Sequence, residues 1–227
     1  MTRKNRYVAH AHLSAHHVRQ LVRLFALDLE AIKVAGLTGL NRNTVNRYVL
    51  ALRQRIARAC EHDTPLRGTV EVDESYFGPR RVKGKRGRGA GSNTMVLGIY
   101  TRNGQVYTEI VPDATTRTLQ AIVRGKVARR SVIHSDRWRG YAGLVDMGSR
   151  THHRVHHGDH VCARGRGIHI NGIESFWGTA KTRLAKRRGI RPHLFYVPLK
   201  ECEFRFNHRH DNLYAVLLEM FREDPLN

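Results

Sequence analysis

The chain has 227 residues, 41% of them hydrophobic, enough to bury one sizeable core and a small satellite domain but not two full catalytic domains. Its 40 Lys+Arg against 19 Asp+Glu give a formal charge of +21, a self-repulsion that a polyanion relieves, so nucleic acid is the expected partner, with a basic structural protein as the bland alternative. Cys60, Cys162 and Cys202 stand far apart without a Cys-x-x-Cys pair, which argues against a zinc ribbon or disulfide framework; no stretch approaches the roughly 18 apolar residues of a membrane span and no signal-peptide run opens the chain, so a cytoplasmic, nucleoid-associated protein is expected, with no membrane partner.

Residues 13–60 read as helical, because Leu13, Val18, Leu21, Val22, Leu24, Phe25, Leu29, Ile32 and Val34 recur at three- and four-residue spacing. A break is expected at 36–40, after which Asn41 can cap a helix over 42–59 whose Val45, Tyr48, Val49, Leu52 and Ile56 form one apolar stripe. Helix, Gly-containing turn and second helix make the pattern of a helix-turn-helix, and Arg42, Asn43, Thr44, Asn46 and Arg47 lie where such a motif meets base edges of double-stranded DNA. A plain helical hairpin with a solvated polar face would look the same locally. Pro65 and Gly68 punctuate the chain, so we place a small all-α helix-turn-helix domain at 1–64 and a larger α/β domain at 65–227 that includes the C-terminal helices.

The periodicity then turns strand-like, with Val70-Glu71-Val72-Asp73 alternating. Residues 79–91 are Gly-rich and cationic; Arg80, Arg81, Lys83, Lys85, Arg86 and Arg88 have little to bury and suit a phosphate backbone, although a solvated hairpin loop is the simpler alternative. Strands over 94–101 and 106–111 are joined at Asn103-Gly104, a strong hairpin signal. A helix over 115–127, a buried strand over 131–134, a short helix over 140–147, a strand over 151–157 and a long helix over 171–188 with Asn171 as its cap follow, and helices over 199–206 and 213–221 close the chain. His152, His153, His156, His157 and His160 invite a zinc site, but strand alternation scatters them over two faces; His157 and His169 are expected beside the pocket. Trp138 and Tyr141 read as packing beside Asp136, with base stacking as the rival, and Trp177 reads as core.

In so basic a chain the placing of acids is informative. Asp73 falls at the end of the first strand of the α/β domain and Asp136 just past the end of the fourth, where ligands collect in α/β sheets. If these strands are neighbours, the two carboxylates repel unless a hard divalent cation, Mg2+ or Mn2+, lies between them. Glu174 stands in the first turn of the long helix, and Lys181 follows it by two turns on the same face. Each acid alone could be a solvated surface residue or, for Glu174, a favourable charge at a helix N-terminus. Glu71 shares a strand face with Asp73, whereas Glu74 should point away.

Three blocks carry a resemblance: Val70-Glu71-Val72-Asp73-Glu74-Ser75-Tyr76-Phe77-Gly78, His134-Ser135-Asp136-Arg137-Trp138-Arg139-Gly140-Tyr141, and His169-Ile170-Asn171-Gly172-Ile173-Glu174-Ser175-Phe176-Trp177 with Lys181 beyond. Together with Lys85-Arg86-Gly87-Arg88-Gly89 and Phe204-Arg205-Phe206-Asn207-His208-Arg209, they resemble the DDE-type transposases of prokaryotic insertion sequences, in the group whose third acid is followed by a lysine. The resemblance implies a ribonuclease-H-like mixed sheet flanked by helices, with Asp73, Asp136 and Glu174 as metal-binding acids and Lys181 as the accompanying lysine. It implies two Mg2+ or Mn2+ ions, cleavage at the element ends, joining of the 3′-hydroxyl to target DNA, and a homo-oligomer that synapses two ends. Longer relatives carry an N-terminal zinc ribbon that is not seen here, so end recognition would rest on the helix-turn-helix. A nuclease of the same fold without strand transfer, or a non-catalytic DNA-binding regulator, are the alternatives.

Overall fold

Helices of the structure, a computed structural model, begin on side-chain oxygens that satisfy otherwise unpaired amides. Ser14 accepts from His17 N at 3.3 Å, Asn41 from Asn43 N at 2.8 Å and Asn212 from Ala215 N at 3.2 Å. These caps start α1 (Ala15–Ala26), α3 (Arg42–Glu61) and a C-terminal helix (Leu213–Glu223). The structure describes residues 5–61, 65–78, 93–136, 151–155, 170–187 and 189–226, with 136 and 151–155 given as backbone alone. They fall into two units, Met1–Glu61 with His208–Asn227, and His62–Asn207.

In the first unit the spacing that predicts a single helix from residue 13 to the break at 36–40 is interrupted. Asp28 takes φ +61°, a left-handed conformation that Asp tolerates, and a separate α2 (Ala31–Thr38) begins after it. The apolar period hid this turn because Phe25 and Leu29 keep a four-residue spacing across it. Gly39 ends α2 at φ +69°, donating to Ala35 O at 3.0 Å, and α3 follows three residues later. Val45, Tyr48, Val49, Leu52 and Ile56 of α3 are all buried, as the stripe predicts. The closing helix, assigned from sequence to the larger domain, instead packs against α1, and the chain end pairs with the N-terminal segment through Ala9 N to Leu226 O at 2.7 Å and Leu226 N to Tyr7 O at 2.9 Å. Apolar period alone does not say which unit a terminal helix joins.

The second unit is a five-stranded mixed sheet. Its strands are β1 (Thr69–Phe77), β2 (Thr94–Thr101), β3 (Val106–Val111), β4 (Val132–Asp136) and β5 (Thr151–Val155), in the order β3-β2-β1-β4-β5. β1, β2 and β3 pair antiparallel, with the β2–β3 turn at Gly104 (φ +101°), whereas β4 lies parallel to β1 and β5 parallel to β4. Alternation sends Val70, Val72, Met95, Leu97, Ile99 and Ile133 to one face, where they meet Leu119 and Val123 of α4 (Thr116–Lys126). The other face is covered by α5 (Asn171–Ala185) and α6 (Tyr196–Asn207), whose Ile173, Phe176, Trp177, Leu199 and Phe206 bury Val96 and Val106. The short helix expected over 140–147 lies outside the described residues. Among the described residues no helix is long and apolar enough to cross a membrane.

β3 is an edge strand, and α6 caps its outer side. Asn207 donates to Val106 O at 2.9 Å and accepts from Val106 N at 2.7 Å, while Glu203 accepts from Thr108 N at 2.8 Å and Lys200 donates to Thr108 O at 2.8 Å. Burial pushes the Glu203 carboxyl above its ordinary range, opposed chiefly by the Lys200 ammonium at 2.9 Å. Burial likewise pushes the Cys202 thiol up to about 12, so it stays protonated and unreactive at neutral pH. Asn207→Ala removes the partner of both Val106 backbone groups and is expected to cost about 2 kcal/mol in urea unfolding; an unchanged midpoint would refute this role.

Candidate catalytic site

The alternation that sends Val70 and Val72 toward α4 puts Glu71 and Asp73 on the α5 face of β1. β1 and β4 are paired as far as Val72↔Ser135, and the next residue on each strand is Asp73 and Asp136. Neighbouring strands lie about 4.8 Å apart, so the two acids are adjacent in the backbone. β1 runs on to Phe77 against β2, so Asp73 is in mid-strand rather than at its end; it marks where β4, not β1, stops. Asp136 is itself the last residue of β4.

The helix carrying Glu174 is capped by β1. Asn171, expected as the cap, is instead the first helical residue, and Ile170 precedes it without a side-chain cap bond. The cap comes from Glu71, wholly buried, whose Oε2 accepts from Ile173 N at 3.0 Å. Arg102 Nε lies 4.0 Å from the other oxygen. One helical turn later Trp177 Nε1 donates to Asp73 Oδ2 at 3.1 Å. Four helical residues rise about 6 Å and two strand residues about 6.6 Å, so α5 and β1 advance in step and each bond fits the next.

This approach requires two glycines. Gly98 of β2 lies opposite Asp73, and a Cβ there would meet the Trp177 ring at 2.5 Å; one on Gly172 would meet the Tyr100 ring at 2.0 Å. The far end of α5 is fixed by Glu201, buried on α6, which accepts from Arg183 at 2.6 Å, Arg187 at 2.6 Å and Arg205 at 3.0 Å. Between these anchors Glu174 and Lys181 are exposed, and Lys181 Nζ stands 5.9 Å from the Phe77 ring.

The structure therefore brings Asp73 and Trp177 into contact and sets Glu174 and Lys181 on the same helix, with Asp136 beside Asp73 in register. Trp177 proves to be more than core, since its one polar atom is committed to Asp73; neither this nor Gly98 carries a local sequence signal. The donor set is carboxylate oxygen, which suits a hard divalent cation and not a soft one. Among the described residues no three His, Cys, Asp or Glu side chains gather as a cation cage, and the Asp136 side chain is not among them. Trp138, Tyr141, His156, His157, His160, His169 and the basic run from Arg80 to Arg88 lie outside the described residues. On α3, Arg42, Asn43, Asn46 and Arg47 are exposed and Thr44 is half-buried.

Gly98→Ala forces a methyl into the indole and is expected to destabilise by about 1–3 kcal/mol and to lower any activity of the site. Gly125→Ala on α4, where nothing lies within 4 Å of the added Cβ, is the control for thermal melting and should not lose stability. Equal behaviour of the two variants would show that the indole does not need Gly98.

Residues 65–207 match the family model described as ISXO2-like transposase domain. An uncharacterized transposase-like protein of Haemophilus influenzae is 40% identical over 103 residues, 45% of this chain and 81% of that protein. Among solved structures, the catalytic core domain of BIV integrase aligns with a TM-score of 0.41 at 14% identity, over 66% of this chain and 93% of that one. The Mos1 transposase paired-end complex with left transposon end aligns at 0.28 and 12% identity, over 93% and 80%. The five-stranded mixed sheet with helices on both faces agrees with the mixed α/β sheet flanked by helices expected from the sequence. With the family match spanning most of its length, the chain belongs to the ISXO2-like transposase domain family and is a transposase.

Proposed function

We propose that the protein binds the ends of an insertion sequence, cleaves phosphodiester bonds there and joins the freed 3′-hydroxyls to target DNA, with Asp73, Asp136 and Glu174 holding two Mg2+ or Mn2+ ions. The observation that carries this reading is the Trp177–Asp73 bond, which ties the helix bearing Glu174 to the strand residue that neighbours Asp136. When bound, such ions neutralise charge on the attacking and leaving oxygens of an in-line displacement and acidify a water. Asp73 would serve both ions, Asp136 one and Glu174 the other.

The remaining work falls to the chain itself. Glu71 and Trp177 keep α5 in step with β1, so the backbone positions that carry Asp73 and Glu174 hold a fixed spacing. Lys181, two turns beyond Glu174 on the same exposed face, offers its ammonium to a phosphate flanking the scissile bond. Water attacks the scissile phosphorus and displaces the element's 3′-oxygen, which takes up a proton; that 3′-hydroxyl then attacks a target phosphodiester in the same site, forming a new phosphodiester as the target's own 3′-oxygen leaves, and no covalent protein intermediate is needed. Arg42, Asn43, Thr44, Asn46 and Arg47 at the start of α3 read the terminal repeat in the major groove, and Arg80, Arg81, Lys83, Lys85, Arg86 and Arg88 track its backbone. Holding two ends at once calls for a homodimer or larger assembly on DNA, at the chromosome in the cytoplasm.

Asp73→Asn, Asp136→Asn or Glu174→Gln is expected to abolish Mg2+-dependent nicking and the joining of pre-cleaved ends while leaving affinity for a terminal-repeat duplex intact. Nicking by any of the three contradicts the assignment. Arg42→Ala with Arg47→Ala should weaken duplex binding, and each phosphate contact so lost lowers the log–log salt slope by about 0.9; an unaltered slope and affinity would remove α3 from the interface.

A further inference from the structure

We propose that the indole N–H of Trp177 is a positioning group for the Asp73 carboxylate, fixing the orientation in which that carboxylate meets a divalent cation. The proposal rests on the reading of Asp73 as a metal-binding acid. Trp177 is 5% exposed, and its single polar atom donates to Asp73 Oδ2 at 3.1 Å. An apolar isostere of the indole would pack in the same space, so the N–H adds something that packing alone does not need.

The donor is held in place by packing. The indole lies in the space left by Gly98, directly opposite Asp73, and is wedged by Phe176 at 5.0 Å and Phe77 at 5.8 Å between ring centroids. A carboxylate presents about four lone-pair sites, and this N–H engages one of them, at Oδ2. Trp177 also follows Glu174 by three residues, so the bond that orients one acid sets the rotation of the helix bearing another. Partners that hydrogen-bond a metal-ligating carboxylate typically change metal affinity by about 10- to 100-fold when removed.

The chain has two tryptophans, so 15N-tryptophan labelling gives two indole resonances, and Trp138→Phe assigns that of Trp177. Its Nε1–H resonance is expected to shift on Mg2+ titration, and not to shift in Asp73→Asn. By calorimetry, Trp177→Phe should bind Mn2+ about tenfold more weakly than wild type, with a cooperative melt retained. Should that variant fail to fold, benzothienylalanine at position 177, which replaces the N–H by sulfur at nearly constant shape, carries the same expectation. Wild-type Mn2+ affinity without the N–H, or an indole resonance that stays still through saturating metal, overturns the proposal. A wild-type protein that takes up no Mn2+, or an Asp73→Asn variant that takes it up equally, overturns the reading of Asp73 itself; normal uptake lost in Asp73→Asn but unchanged in Trp177→Phe overturns the positioning role alone.

Discussion

The seam between β1 and α5 is the interaction on which the rest of the catalytic unit depends. Two carboxylates two residues apart on one strand face accept from one helix, Glu71 from the Ile173 amide and Asp73 from the Trp177 indole. Removing the Glu71 carboxylate from water is costly, and the bond to an otherwise unpaired amide at the positive end of a helix offsets that cost. The seam is possible only because the sheet offers Gly98 and the helix Gly172 where the two surfaces touch.

Acids are scarce in a chain of formal charge +21, and three of those fully buried are used as fasteners. Glu71 holds the start of α5, Glu201 gathers Arg183 and Arg187 at its other end, and Glu203 with Lys200 closes the outer edge of β3. A helix held at its start, middle and end has little freedom to slide along the strand, and charged groups carried on rigid elements keep their spacing better than those on loops. Breaking any one buried pair leaves an uncompensated charge, which is why such ties are harder to lose than exposed ion pairs.

Much of this was legible in the sequence because it is local. The alternation of Val70 and Val72 with Glu71 and Asp73, the Asn103-Gly104 turn, the α3 stripe and the spacing of Glu174 and Lys181 all follow from periods of two and 3.6 residues. What was not legible depends on partners far along the chain. The cap of α5 lies 102 residues before it, so Asn171 looked like the cap; Trp177 reaches back 104 residues to Asp73, so it looked like core alone. Asp28 breaks the first helix through a backbone conformation that leaves the apolar period intact, and the last helix joins the first unit through contacts no local pattern encodes.

The central claim is that Asp73, Asp136 and Glu174 converge on a pair of divalent ions. Anomalous diffraction from crystals soaked in Mn2+ tests it most directly. Ions about 4 Å apart with ligands at about 2.1 Å require the three carboxylates to lie within about 8 Å of one another, each with an oxygen on a manganese peak. Manganese bound elsewhere, or these carboxylates left farther apart in the metal-soaked crystal, would contradict the account.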